Sequence, residues 1–474
     1  MRPGSLGKDT TLDALNSAAV SGADEQAVSL RPASIEAPWP PATTGWWAIT
    51  VFILTLAVGY LDRGVLTLLV ESIKRDLHLT DTQMSLVIGF AFIVFYIVLG
   101  LPMARWVDSG SRRLILGISV SVWSLCTAFC GVAHNFMQLV ACRLGMGAGE
   151  AAISPGIGSM IADLFPPERL ARAMSVLALA YIGGNALAML LGGAVIHAVA
   201  HLHSVIVPFF GPVFPWQLTF FIVGLPGLLV AALYFTVPEP ARRGRLPGQG
   251  PVVAIPVREV GRYMAENRRV YLPMFLGIAL NGMVSAGSQA WTPALFSRNY
   301  GWNASQFGST AGTISLLLAP IGLLAGIRIN EWLYRRGYHD ANMRLTAIVT
   351  WLVLPGHVLM PIMPTAHLAL VCFGWTALIG TAAIGSQAAA LTLVTPNQMR
   401  GQVTALYMFV FNVIGYGLGP VLVALCTDFV FGHESDLRFS MLAIALLIAP
   451  AGALVLTLGI KPYGRAYMRT KNWQ

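Results

Sequence analysis

Twelve stretches of the chain are apolar almost without interruption. Six lie near residues 46–70, 84–104, 114–133, 137–161, 172–199 and 217–237, and six more near 270–297, 305–326, 344–363, 368–393, 403–425 and 438–461. Each is long enough to cross a hydrocarbon layer of about 30 Å as a helix. The pattern predicts an all-α polytopic membrane protein with twelve transmembrane helices in two pseudo-symmetric six-helix bundles, 46–237 and 270–461. The first 45 residues lack an apolar core of signal-peptide length and read as a disordered cytosolic tail rather than a leader. Residues 238–269 begin Pro238-Glu-Pro-Ala-Arg-Arg-Gly-Arg and read as a cytosolic linker, and 462–474 as a C-terminal tail. Within the linker, Val257, Val260, Met264 and Tyr271 share one helical stripe opposite Arg258, Arg262 and Glu266, which predicts a short interfacial helix.

Composition agrees. Hydrophobic residues make up 56% and charged residues 11% of the chain, against about 25% charged in soluble domains. The net charge of +9 is distributed by loop, which argues for membrane orientation and against nucleic acid. With both termini cytosolic, 24 of the 30 lysines and arginines fall in cytosolic segments and only Lys74, Arg75, Arg298 and Arg438 on the other side. This split predicts a cell-membrane protein, inner or plasma, with both ends in the cytosol. Cys126, Cys130, Cys142, Cys372 and Cys426 all lie in apolar runs and read as small hydrophobes. His197, His201 and His203 cluster without a nearby carboxylate, so no metal site is expected, and Trp46, Trp216 and Trp302 read as interfacial anchors. Walker, HExxH, GxSxG and CxxC patterns are absent, so the sequence supports neither an ATP-driven pump nor an enzyme and implies no cofactor.

Four charges inside the apolar runs carry the functional signal, because each costs about 2.5–3.5 kcal/mol at the bilayer centre unless paired or wetted. Asp62 and Arg63 lie in the first helix, Arg143 and Glu150 in the fourth. Helical rise puts Asp62 and Arg143 level, each about 9 Å inside the boundary, so these two are expected to pair. Arg143, Gly147, Glu150 and Ser154 follow i, i+4, i+7, i+11 spacing on a continuous fourth helix. Glu150 then lies about 10 Å deeper and is the candidate carboxyl for taking up and releasing a proton. The competing reading is a static network that locks the bundle.

Asp108-Ser-Gly-Ser-Arg112-Arg113, after the second helix, is the candidate cytosolic gate, pairing with neighbouring helix ends, the linker or the Arg169 region. Asn330-Glu-Trp-Leu-Tyr-Arg335-Arg336, after the eighth, repeats its polar-then-paired-arginine pattern, as internal repeats of secondary transporters do. Tyr181, Asn185, Asn281, Ser285, Gln289, Gln387, Asn412 and Tyr416 are weaker candidates that can line a cavity or simply bond helices together.

Over nearly all of 46–461 the chain resembles the major facilitator superfamily. Ala104-Arg-Trp-Val-Asp108-Ser-Gly-Ser-Arg112-Arg113 is similar to its G-x-x-x-D-x-x-x-R-R signature, with alanine in place of the first glycine. Tyr60-Leu-Asp62-Arg63, Arg143-Leu-Gly-Met-Gly147-Ala-Gly149-Glu150, Ile161-Ala-Asp163-Leu-Phe165-Pro166-Pro167 and Arg400-Gly-Gln together resemble the spinster branch. That resemblance implies alternating access around a central cavity, export of lysophospholipid- or sphingolipid-like molecules, and proton coupling through Asp62, Arg63 and Glu150. The anion:cation symporter branch shares the Tyr-x-Asp-Arg start and implies import of small carboxylates such as hexuronates or aromatic acids. Gly184-Asn-Ala-Leu-Ala188-Met189 lacks the Gly-Pro pair that resembles an antiporter mark, so direction stays open. The expected partners are a small-molecule or lipid substrate, protons and the bilayer, with no protein partner indicated. A transport-inactive sensor or scaffold on the same helices is the alternative of another class.

Overall fold

The computed structural model describes residues 38–202, 205–207, 211–243 and 256–470. Most of the expected N-terminal tail, linker residues 244–255, His203 and residues 471–474 lie outside them. The first half contains α1 (Ala42–Leu68), α2 (Val70–Leu77), α3 (Asp81–Ser109), α4 (Arg112–Cys130), α5 (Phe136–Glu150), α6 (Ile153–Leu164) and α7 (Pro167–Val199). An antiparallel hairpin of β1 (Val205–Val207) and β2 (Gly211–Val213) leads into α8 (Pro215–Thr236). The second half contains α9 (Val257–Glu266), α10 (Arg268–Tyr300), α11 (Ala304–Arg335), α12 (Ala341–Ile362), α13 (Ala366–Val394), α14 (Arg400–Phe431) and α15 (Leu437–Thr470).

Local chemistry sets these boundaries. Pro167 and Pro215 open α7 and α8, where a missing N–H costs no helical bond. Asn303 and Gln306 form a reciprocal cap on α11, the side chains accepting from each other's backbone N–H at 2.8 and 3.1 Å. Gly301, Gly337 and Gly432 end α10, α11 and α14 at φ of 67°, 84° and 80°, which side-chain-bearing residues rarely adopt.

Eleven helices among the described residues are long and apolar enough to cross a membrane. The fourth crossing, expected to be continuous, is instead divided between α5 and α6. Pro155 cannot donate to the carbonyl of Ala151, and its ring crowds that carbonyl, so the helix breaks at Ala151–Ala152, directly after Glu150. The tenth crossing, α13, is interrupted correspondingly at Ala382–Ala383. Residues 462–470, assigned to the C-terminal tail, are helical, because α15 continues to Thr470. One further expectation is corrected. The helix expected from Val257 ends at Glu266, and Val257 itself is exposed while Val260 packs into the core.

The two halves meet through α7 with α11, α3 with α14 and α1 with α10. Glycines bring their backbones together toward the face opposite the chain termini. A Cβ at Gly308 of α11 would stand 2.8 Å from the Met189 carbonyl oxygen of α7, and one at Gly89 of α3 would stand 2.9 Å from the Tyr416 carbonyl oxygen of α14. Glycine is what allows these backbones to touch. The π-helical turns Leu86–Phe90 and Phe411–Gly417 face each other at the second contact.

An ionic clamp closes the same face. Arg298, at the end of α10, donates to Glu71 of α2 at 2.9 Å and to both oxygens of Asp81 of α3 at 2.7 and 2.8 Å. Lys74 of α2 pairs with Asp81 and reaches Glu434 of the second half at 3.0 Å. The backbone N–H and hydroxyl of Thr82 donate to Asp428 at 2.7 and 2.6 Å. Lys74, Asp81 and Arg298 are buried, so the attraction is little screened. Lys74 and Arg298, expected only as the sparse charges of the outer side, thus hold the halves together.

Removing one partner from such a buried network costs about 3–5 kcal/mol. Arg298→Gln is therefore expected to raise the population in which this face is open. The test is the spin-label distance between cysteines placed at Ala200 and Pro364. A distance distribution identical to that of the parent protein would rule out the clamp.

Candidate functional site

The charges of α1 and α5 converge inside the first half, with a pairing that differs from the expected one. Arg63 and Glu150 form an ion pair, with the guanidinium Nε 3.4 Å from Glu150 Oε1 and a closer contact through the second nitrogen. The Arg63 side chain is 44% exposed although it lies more than a turn inside the end of α1, whereas Glu150 is 4% exposed. A guanidinium open to surroundings at this depth requires an aqueous cavity rather than lipid.

Asp62 does not pair with Arg143. Its Oδ2 accepts from the Thr127 hydroxyl of α4 at 3.0 Å, while its fully buried Oδ1 has no hydrogen-bond partner among the described residues. Arg143 donates instead to the carbonyls of Val87 at 3.0 Å and Ile88 at 3.2 Å. Both belong to the π turn of α3, whose i→i+5 bonding alters the ordinary carbonyl pattern. Neighbouring helical residues point about 100° apart, so Asp62 faces α4 while Arg63 faces the cavity. The Phe92 ring lies between the two arginines, 4.7 Å from the Arg63 guanidinium carbon and 5.4 Å from that of Arg143.

A cavity of about 150 Å³ adjoins the Arg63–Glu150 pair. Its remaining wall comprises Thr55, Leu56, Gly59 and Tyr60 of α1, Tyr96 of α3, Trp123 of α4, Ile153 and Ser154 of α6, and Tyr181 of α7. The break after Glu150 leaves Ser154 on the wall beside it. Of the weaker sequence candidates only Tyr181 borders this cavity. Asn185, Asn281, Ser285, Gln289 and Gln387 are half-buried elsewhere, Asn412 donates to the Met408 carbonyl of its own helix at 2.8 Å, and the exposed Tyr416 stacks edge-on to Phe411. Tyr96, Trp123 and Thr127 escaped the sequence reading. The signal available was a hydroxyl or indole recurring within an apolar run, which also describes ordinary helix contacts.

At the termini face, Arg112 is buried at the start of α4. It donates to Glu239 at 2.8 Å, to the Ser159 hydroxyl at 3.1 Å and to the Pro240 carbonyl at 2.7 Å, and pairs with Asp163. Glu239 caps the same helix, accepting from Ser111 and from the Arg113 N–H, both at 2.9 Å. Arg242 donates to the carbonyls of Val107, Asp108 and Gly110 at the end of α3. Asp108, Arg112 and Arg113 are thus drawn into a knot with the linker's first residues, and the partners of Arg112 lie in the first half or that linker, not at Arg169. Trp216, expected as an interfacial anchor, is buried and donates to Asp76 at 2.8 Å.

The sequence profile of the Major Facilitator Superfamily matches residues 51–420. The chain belongs to this superfamily of transporters. An MFS-type efflux pump of Mycolicibacterium smegmatis is 26% identical over 86% of this chain and 89% of that protein. A hexuronate transporter of Bacillus subtilis is 26% identical over 61% of this chain and 65% of that protein. Among solved structures, a bacterial homologue of the human lysosomal transporter Spinster, in an inward-facing and unoccupied conformation, superimposes with a TM-score of 0.73 at 22% identity, covering 90% of this chain and 98% of that one. The superfamily fold and the resemblance to its spinster-like members expected from the sequence are therefore present, in a multi-pass membrane protein.

Burial would raise the Glu239 carboxyl, but the Arg113 N–H, the Arg112 guanidinium and the Ser111 hydroxyl outweigh it and hold the carboxyl below the ordinary glutamate range. A group lowered by folding stabilises above its unfolded pKa, and that contribution is lost as pH falls through the lowered value. The melting-point advantage of the parent protein over Glu239→Gln is expected to be full at neutral pH and to shrink below about pH 4. An advantage independent of pH in this range would contradict the assignment.

Proposed function

We propose that the protein is a proton-coupled secondary transporter of a small organic anion, working by alternating access in the cell membrane with both termini in the cytosol. The observation that carries this reading is the Arg63–Glu150 pair beside the cavity. A substrate carboxylate takes the place of Glu150 on Arg63, since a guanidinium binds either through parallel hydrogen bonds. A carboxylate deprived of its cation in a low-dielectric wall takes up a proton rather than remain charged, so anion binding and protonation of Glu150 occur together. Asp62, held by Thr127 behind the cavity, is a second proton-carrying group, and Arg143 fixes the π turn of α3 that presents Phe92 and Tyr96.

The cavity volume of about 150 Å³ and the hydroxyls of Thr55, Tyr60, Tyr96, Ser154 and Tyr181 support a compact hydroxylated or aromatic acid over a long-chain amphipath. A relative that carries hexuronates agrees with this class. The clamp of Arg298, Glu71, Lys74 and Asp81 supports a state closed on the outer side, from which the substrate site communicates with the termini face. The Arg112–Asp163–Glu239 knot then serves as the gate element on the cytosolic side, its partners exchanged when that side closes.

The reading is tested in proteoliposomes with labelled hexuronates and aromatic acids, alongside lysophospholipids. Glu150→Gln is expected to retain substrate exchange but lose accumulation driven by a pH gradient. Arg63→Gln is expected to weaken binding about 30- to 100-fold, as loss of a charge-assisted hydrogen bond does. Undiminished pH-driven accumulation by Glu150→Gln would overturn the coupling role, transport of lysophospholipids alone would overturn the substrate class, and no flux of any compound would favour a sensor.

A further inference from the structure

A second concavity, an open crevice of about 630 Å³, lies away from the charged site at the termini face of the second half. One wall is the turn Gly337–Asp340 after α11. The other is the end of α15, where Lys461, Arg465 and Arg469 recur every fourth residue and so form one stripe. All three are exposed, as is His339 across the crevice. The lone carboxylate on the wall, Asp340, is already neutralised, because its two oxygens accept from Arg344 at 3.0 and 2.8 Å. No ion pair engages Lys461, Arg465, Arg469 or His339 among the described residues. The crevice is therefore strongly cationic and open.

Its shape is built in. Gly337 closes α11 with its N–H on the Tyr334 carbonyl, while the Tyr338 N–H returns to Leu333, so the turn folds back toward α15. Gly464 lets α15 approach, since a Cβ there would lie 3.4 Å from that of Asp340. Tyr467 pins the two walls by packing on Tyr334 and His339. The depth is equally defined. Leu437 to Ile460 of α15 spans about 36 Å, enough to cross the hydrocarbon, so Lys461 marks where the helix leaves it. Exposed Tyr338 and Met468 line the opening, in the amphipathic setting typical of the headgroup region.

We infer that this crevice binds the phosphate headgroup of an anionic phospholipid from the leaflet on the termini face. The site takes a phosphodiester at headgroup depth between Lys461, Arg465, Arg469 and His339, with the acyl chains against the apolar outer surface of α15. It lies in the other half of the molecule from Arg63 and Glu150 and stands without the transport reading.

The experiment measures retention of phosphatidylglycerol by purified full-length protein in detergent, by native mass spectrometry, with phosphatidylcholine and inorganic phosphate as comparison probes. The parent protein is expected to retain phosphatidylglycerol selectively. The combined variant Lys461→Gln, Arg465→Gln, Arg469→Gln is expected to bind it about a hundredfold more weakly, as loss of three basic groups near an anionic lipid implies. A control variant, Arg258→Gln with Arg262→Gln on exposed α9, is expected to bind as the parent does. The proposal is overturned if the triple variant retains phosphatidylglycerol equally, if the control loses as much, or if inorganic phosphate binds as well as the lipid. Melting points of all three proteins establish that each is folded, and Lys461→Arg is expected to preserve binding.

Discussion

The charges of Arg63, Arg143 and Arg298 enter the interior of this molecule where another group meets them, and that requirement shapes the arrangement. Arg63 is matched by Glu150 and opens on an aqueous cavity, Arg143 by carbonyls of a π turn, and Arg298 by two carboxylates at the seam between halves. Removing ions from water costs several kcal/mol each in a protein interior. Each pairing therefore fixes the helices that carry it, and a helix can move only if its charge finds another partner. For a transporter this is a useful restriction, since a helix moves only when its charge exchanges one partner for another.

The two faces use this principle differently. On the face opposite the termini, ion pairs and glycine-mediated backbone contacts both cross between halves, so rotation of one half against the other must break them together. On the termini face, Arg112, Asp163, Glu239 and Arg242 instead tie the first half to the linker. The asymmetry gives the present conformation its sense, with one side sealed across the seam and the other braced within a half.

Much was legible along the chain. Apolar run lengths located the eleven helices that are long and apolar enough to cross a membrane among the described residues, but not the division of the fourth run into two helices. The aspartate-and-arginine motif, together with the acids and arginines of the first and fourth helices, indicated the superfamily that the profile match shows. What failed was pairing. Helical rise puts Asp62 and Arg143 at similar depth, but depth does not say which way a side chain turns. The π turn at Leu86–Phe90 has no composition that distinguishes it from an ordinary helical segment, yet it supplies the acceptors that take Arg143 away from Asp62. The break after Glu150 was missed as well, although its cause, Pro155, stands in the sequence.

Sequence by itself determined quantities that depend on one segment at a time: which stretches are apolar, where proline and glycine end helices, and on which side basic residues accumulate. These follow from local sterics and transfer free energy. Only the tertiary structure decided that Glu150 answers Arg63, that Arg298 joins the halves, and that Lys461, Arg465 and Arg469 face a turn whose lone acid is already occupied. Those outcomes depend on the rotation of one helix against another, and that rotation is set by packing and hydrogen bonding between residues far apart in the chain.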